Sequence, residues 1–282
     1  MNFRINWHRS INFGDQLNPY LIEHFLGFIP EKYEIWNEEL GSHEYLKDSH
    51  VMLLGSILNE ANSNTTVLGA GFVSSESHCL EEPHFISVRG KLTRDRVFQL
   101  YGEKDSIFLG DPALSMPLIY NPPVGKKYKL GIIPHLIDEW MLSDLQKSIG
   151  EDVKIISLRT NEIKEDTERI IREIKGCEMT ISSSLHGLIT SHTYGVPSLW
   201  VEFSDSVIGN GFKFRDYLTT HFDKDEIGIL QNPIDLRQGI DQHIISEIIK
   251  LGKDLPSVSN MFEIEKNYTF YSNFFKQINK NK

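Results

Sequence analysis

The stretch that most constrains this chain is 177–203, CEMTISSSLHGLITSHTYGVPSLWVEF. A short apolar strand, Met179-Thr180-Ile181, enters a polar turn of three serines and then Leu185-His186-Gly187. A helical run reaches Tyr194, Gly195-Val196-Pro197 stops it, and a second strand starts at Ser198. That order reads as a strand–helix–strand unit of a parallel sheet. Open α/β sheets bind ligands outside the carboxyl ends of their strands, so the turn 182–187 is the functional edge. Its serine hydroxyls and the free N–H groups of a helix start suit an anion. A histidine there can move a proton near neutral pH. The plainer reading of the same residues is a set of N-caps and a structural histidine.

The alternation of strand and helix extends along the whole chain. A helix is expected over 17–26 after the turn Asn12-Phe13-Gly14-Asp15, and strands over 51–54, 66–68, 85–88 and 107–109, with a helix over 92–100. Asn121-Pro122-Pro123-Val124-Gly125 is the strongest break. Beyond it, strands are expected over 128–133 and 153–157. A helix carrying Ile163, Ile170, Ile171 and Ile174 on one face follows, and amphipathic helices are expected over 234–251 and 259–277. The expected architecture is α/β, with two Rossmann-like lobes of mostly parallel strands. An N-terminal lobe, 1–122, and a C-terminal lobe, 123–282, are expected, with the last helix packing back on the first lobe. A cleft between lobes is the natural site.

A length of 282 residues is enough for two cores, and a formal net charge of −10 argues against a nucleic-acid surface. The two cysteines, Cys79 and Cys177, form neither a disulfide framework nor a metal motif, which fits a reduced cytoplasmic setting. There is no signal-like N-terminus and no apolar run long enough to span a bilayer. The lysine-rich tail 276–282, with Phe274, Phe275 and Ile278, offers peripheral contact with an anionic membrane face, against the plainer reading of a solvated end. Eleven histidines show no metal-ligand spacing, and neither GxGxxG nor a P-loop is present, so no metal and no bound cofactor are expected.

Several strand ends carry chemistry. Asp15 is a helix cap or a base. Arg89, straight off a strand, suits phosphate or carboxylate, and Arg94 a turn later does so less well, with pairing to Asp95 as its plainer role. Asp111 in Gly110-Asp111-Pro112-Ala113 either orients a sugar hydroxyl or caps the next segment. His135, after Pro134, stands at another strand end and pairs in kind with His186.

These motifs, in order from Asn12 to about Tyr217, resemble the polysaccharide pyruvyl transferase family. Asn12-Phe13-Gly14-Asp15 with Asn18-Pro19-Tyr20 is similar to its opening segment, and Val88-Arg89-Gly90 with Leu92-Thr93-Arg94 to its arginine motif. Gly110-Asp111-Pro112-Ala113-Leu114 and Ile132-Ile133-Pro134-His135 follow in the same order. Ser184-Leu185-His186-Gly187 through Pro197 resembles its signature, and Lys213 with Phe214 and Tyr217 its late lysine motif. The resemblance implies a two-lobed fold like the GT-B class of glycosyltransferases. It also implies transfer of a pyruvyl group from phosphoenolpyruvate to a sugar of a surface polysaccharide or its precursor, lipid-linked or free, as a cyclic ketal. His186 and Asp15 are then the catalytic candidates. Arg89, His135, Ser182, Ser183, Ser184, Gly187 and Lys213 line the donor site. Ser184 stands where the family carries a donor-binding arginine, so either positive charge comes from Arg89, Lys213 or Arg215, or the three serines supply neutral donors, or the donor differs. Two rivals stay open: a nucleotide-sugar glycosyltransferase, in which Glu202 holds a ribose, and a non-catalytic glycan-binding relative.

Overall fold

The computed structural model describes residues 4–280 apart from 9, 30, 33–35, 38–41, 44–47, 144, 146–148, 223–229, 253–254 and 256–260. The first half of the chain forms β1 (Arg4–Ile5), α1 (Phe13–Leu26), β2 (Glu31–Lys32), β3 (Trp36–Asn37), β4 (Ser42–His43), β5 (His50–Met52), β6 (Thr65–Leu68), β7 (His84–Val88), α2 (Lys91–Tyr101) and β8 (Phe108–Leu109). A 3₁₀ helix, Pro112–Leu118, follows. The second half forms β9 (Tyr128–Ile133), β10 (Val153–Ile155), α3 (Ile163–Lys175), β11 (Cys177–Ser182), α4 (Leu185–Thr193), β12 (Ser198–Glu202), α5 (Phe212–His221), β13 (Ile234–Asp235), α6 (Gln242–Leu251) and α7 (Met261–Lys280).

Two parallel sheets result, in the order β2-β1-β5-β6-β7-β8 and β10-β9-β11-β12-β13; β3 and β4 make a separate antiparallel pair. In each sheet the chain starts inside, steps to one edge and then crosses back. The order therefore reverses between β1 and β5 in one sheet, and between β9 and β11 in the other. Crevices at such reversals are where α/β sheets bind ligands. The β9–β11 reversal carries His135 on one side and Ser182–Ser184 on the other.

Helix α1 begins at Phe13, four residues before the expected start, because Asn12 accepts from the Gly14 N–H (2.9 Å) and so makes a cap of what reads as a turn. Pro19 removes the N–H that the Asp15 carbonyl would bind. Asn18 Nδ2 donates to that carbonyl instead (3.1 Å) and also to Leu54 O (3.2 Å), while Leu54 N donates back to Asn18 Oδ1 (3.1 Å). One side chain thus repairs the helix and ties it to the end of β5. The segment 234–251 is not one helix. Ile234-Asp235 adds an edge strand to β12, Gly239 sits at φ +104°, and α6 starts only after Asp241, whose side chain accepts from Ile244 N.

The last helix crosses back to the first sheet. Phe270 stacks on Phe108 (4.0 Å between centroids) and Phe275 on Phe25 (5.3 Å). The Tyr271 hydroxyl donates to Gly110 O (2.8 Å). Phe275 is fully buried, and Phe274 and Ile278 pack on the same core, so the apolar residues read as a membrane face are turned inward. Among the described residues, no helix is long and apolar enough to cross a membrane.

A second tie joins the sheets through a charge pair. Arg89, at the end of β7, is 1% exposed and donates to Asp216 of α5 (2.9 Å), to Ser56 (2.8 Å) and to Phe72 O (2.7 Å). Asp216 also accepts from the Thr93 N–H (2.8 Å) and hydroxyl (2.6 Å) at the start of α2. Gly90 fits between them because a Cβ there would strike the backbone of Asp216.

Candidate functional site

The turns after β9 and β11 are locked together by hydroxyls. Ser182 Oγ donates to Ile133 O (3.0 Å) and accepts from Ser184 N (3.0 Å). Ser183 Oγ accepts from the His135 N–H (2.8 Å) and donates to Asp138 (2.7 Å), whose other oxygen accepts from Ser204 after β12 (2.5 Å). Ser182 and Ser183 are therefore buried struts, while Ser184 is the N-cap residue of α4 and makes no cap hydrogen bond. Gly187 lets α4 lie on this turn, since a Cβ would come within 2.5 Å of Ser182 Oγ and 2.7 Å of Ile133. Asp138 went unnoticed in the sequence. Its only signal is a carboxylate three residues after a strand-end histidine, in a turn closed by Asp138 N to His135 O (2.8 Å).

The first lobe closes the site from the other side. Phe13 N donates to Leu158 O (2.9 Å) and Thr160 N to Ile11 O (2.7 Å), so the start of α1 is stitched to the loop after β10. That places Gly14 against the His186 ring, close enough that a Cβ on Gly14 would collide with Nδ1. The opposite ring nitrogen, Nε2, faces Asp111 Oδ2 at 3.8 Å. Asp15 follows Gly14 and accepts from Ser10 (2.5 Å).

Four of the expected residues share one electrostatic environment. Burial pushes the Asp15 carboxyl above its usual range, against the pull of the Ser10 hydroxyl, His8, His186 and Lys213. Burial, with Lys213 and His186 nearby, pushes His135 down to about 4. The His135 ring is thus neutral at neutral pH, with Nδ1 accepting from Ile137 N (3.3 Å). Burial, reinforced by Arg89, lowers Lys213 to about 8, while Asp15 and Asp138 pull it up. Lys213 lies over the Phe214 ring and, among the described residues, has no hydrogen bond or ion pair.

The other expected residues lie elsewhere. Arg89 is consumed by the buried pair with Asp216 and acts on the site only through its field on Lys213. Arg94 sits on the outer face of α2 and pairs with Asp95 (2.8 Å). Glu202 ends β12, its carboxyl raised chiefly by burial, within the field of Arg237, Asp205, Asp235 and Arg215 rather than of the histidines. The arrangement offers one ammonium, one neutral imidazole, one further imidazole and a mostly buried carboxyl within one another's electrostatic reach. An ammonium and imidazole N–H groups suit an anion, and the imidazoles and carboxyl suit proton transfer; among the described residues, no three His, Cys, Asp or Glu side chains gather as metal ligands.

Comparison with known proteins agrees with the motif order. The profile of the polysaccharide pyruvyl transferase family matches residues 12–205. An uncharacterised protein, L143, of Acanthamoeba polyphaga mimivirus is 29% identical over 217 residues, 75% of this chain and 71% of that one. The succinoglycan biosynthesis protein ExoV of Rhizobium meliloti is 28% identical over 217 residues, and the match spans 61% of its length. A functionally uncharacterised Klebsiella pneumoniae protein of known crystal structure aligns with 79% of this chain and 93% of its own at a TM-score of 0.41 and 12% identity. The matched region runs from the cap of α1, past both histidine-bearing strand ends, to the loop after β12. With the family profile covering more than half of its residues, the chain belongs to the polysaccharide pyruvyl transferase family.

Proposed function

We propose that this protein transfers the pyruvyl group of phosphoenolpyruvate to a sugar of a surface polysaccharide or its precursor, closing a cyclic ketal. The observation that carries the donor assignment is Lys213: a mostly buried ammonium, unpaired among the described residues, beside two histidines and a carboxyl. Such a charge is costly without an anion, and a donor phosphate or carboxylate supplies one. Lys213 takes the place in the charge balance left by Ser184, with neutral His135 and the Ser184 hydroxyl as further donors. The relationship to a succinoglycan biosynthesis protein supports an exopolysaccharide acceptor.

In this reading His186 protonates the methylene carbon of the donor, and positive charge builds on its central carbon. A sugar hydroxyl attacks there and gives its proton to Asp15. The second hydroxyl then displaces phosphate, so diol and donor yield ketal and inorganic phosphate. No cofactor is required. Each well-placed acid or base contributes about 10²–10⁴-fold.

The test is thermal stabilisation by phosphoenolpyruvate against a panel of nucleotide sugars. A ligand at 100 times its Kd adds about 2.7 kcal/mol. Stabilisation by phosphoenolpyruvate, lost in Lys213→Met and weakening as pH rises through about 8, is the expected result. Stabilisation by a nucleotide sugar alone would replace this reading with glycosyl transfer. Phosphoenolpyruvate binding without phosphate release in the presence of glycan would leave a non-catalytic protein.

A further inference from the structure

We propose that Asp111 is the positioning carboxylate of His186: it holds the proton on Nε2 and leaves Nδ1 as the nitrogen that exchanges a proton with substrate. This deepens the reading of His186 as the acid and rests on it.

Two unmatched atoms carry the argument. His186 Nε2 and Asp111 Oδ2 are both buried, neither has a hydrogen-bond partner, and they face each other at 3.8 Å. A buried polar atom left unmatched costs about 1–3 kcal/mol, and two adjacent ones satisfy each other. The gap is less than 1 Å beyond hydrogen-bond reach, about what a small ring shift or one bridging water closes, and catalytic hydrogen bonds commonly tighten when substrate arrives. The carboxyl has little freedom to look elsewhere. Its Oδ1 accepts from Ala113 N (2.9 Å) as the cap of the 3₁₀ helix Pro112–Leu118, which aims Oδ2 at α4.

Of the other titratable neighbours, only His221 also has a buried nitrogen, Nε2, without a hydrogen-bond partner among the described residues, and no ion pair joins it to Asp111. From α7, the Tyr271 hydroxyl is spent on Gly110 O. From α5, the Tyr217 hydroxyl bonds His192 (3.2 Å), and His221 feels the Asp111 charge but lies beyond ion-pair distance. Asp15 of α1 and His135 after β9 lie within the field of His186. Nδ1 lies against the start of α1, where Gly14 has no Cβ and so leaves the ring its place. The transfer starts from the doubly protonated ring: the Nδ1–H bond breaks with its electron pair left on nitrogen, the new C–H bond takes the electrons of the donor double bond, and the neutral Nε2–H ring remains. Nε2–H stays with Asp111, as a neighbouring carboxylate favours.

The test reads the ring directly, without donor or acceptor. In ¹⁵N-histidine NMR, the His186 signals are identified by their loss in His186→Gln. Neutral His186 is expected as the Nε2–H tautomer. In Asp111→Asn the amide oxygen keeps the Ala113 cap and turns an NH₂ toward Nε2, so the tautomer should switch to Nδ1–H. Turnover should then fall by about 10² or more. An Nδ1–H tautomer in the unmodified protein, or no change in the variant, would overturn the assignment. If the variant fails to melt cooperatively, the spectrum of the unmodified protein decides alone. If phosphoenolpyruvate does not bind but the tautomer switches, the donor reading fails and this one stands.

Discussion

Gly14 shows how a residue with no side chain shapes chemistry. The helix cap at Asn12 and the strand-like contact of Asn12 with Arg159 bring its backbone against His186. A methyl group here has nowhere to go but into Nδ1. Gly14→Ala should cost about 1–3 kcal/mol of stability through overpacking and push the imidazole off its working position. Misplacement by about 1 Å costs about 10²-fold, so phosphate release should drop by that order with donor stabilisation kept. Equal loss of both would mean that the ring serves binding rather than proton transfer. The sequence exposes some of this and hides the rest for a physical reason. His135 and His186 announce themselves because each follows an apolar strand run. Asp138 does not, since its partner Ser183 lies 45 residues away, and the contact of Gly14 with His186 is equally non-local.

At the scale of elements, the start of α2 and the middle of α5 are joined by Arg89 and Asp216. An arginine leaving a strand looks the same in sequence whether it awaits a phosphate or is destined for a buried carboxylate. Here Asp216 accepts three hydrogen bonds from Arg89 and Thr93. Removing one partner of a buried pair costs about 3–5 kcal/mol, so Arg89→Ala and Asp216→Ala should each destabilise the fold by that amount in denaturant melts. The double variant should cost less than the sum of the two. A loss of donor affinity with unchanged stability in Arg89→Ala would instead assign Arg89 to the ligand. The same distinction between local and distant causes explains the elements. Strand β9 matches its expected bounds because six residues, YKLGII, are bracketed by Lys127 and Pro134. The two-residue β1 exists only through pairing with β2 and β5. The isoleucine pattern over 234–251 imitates a long helix, but pairing with β12 and the left-handed Gly239 divide it.

For the molecule as a whole, buried histidines set the response to acid. His135, His192 and His221 are each held down to about 4, first by burial. Between pH 4 and 6.5 the unfolded chain binds protons at these rings that the folded chain refuses, so stability rises with pH across that window and is lost on acidification. Each ring contributes a slope of up to about 1.4 kcal/mol per pH unit. Asp15, raised in the fold, works in the opposite sense just above its usual value and offsets part of one share. Urea midpoints taken from pH 7 to 4.5 should fall steeply, and a His192→Gln chain should show a shallower fall. A flat profile would mean that these rings reach water. The Arg89–Asp216 pair also carries a lesson for recombination. A graft that exchanges one half of this protein for that of a relative leaves a buried arginine facing a foreign helix, or a buried aspartate facing a foreign strand end. Hybrids of two parents that both place arginine at 89 and aspartate at 216 are expected to fold, and hybrids that join one of them to a foreign partner are expected to fail, so the choice of parents is dictated by positions 89 and 216 rather than by the proline-rich connector between the sheets.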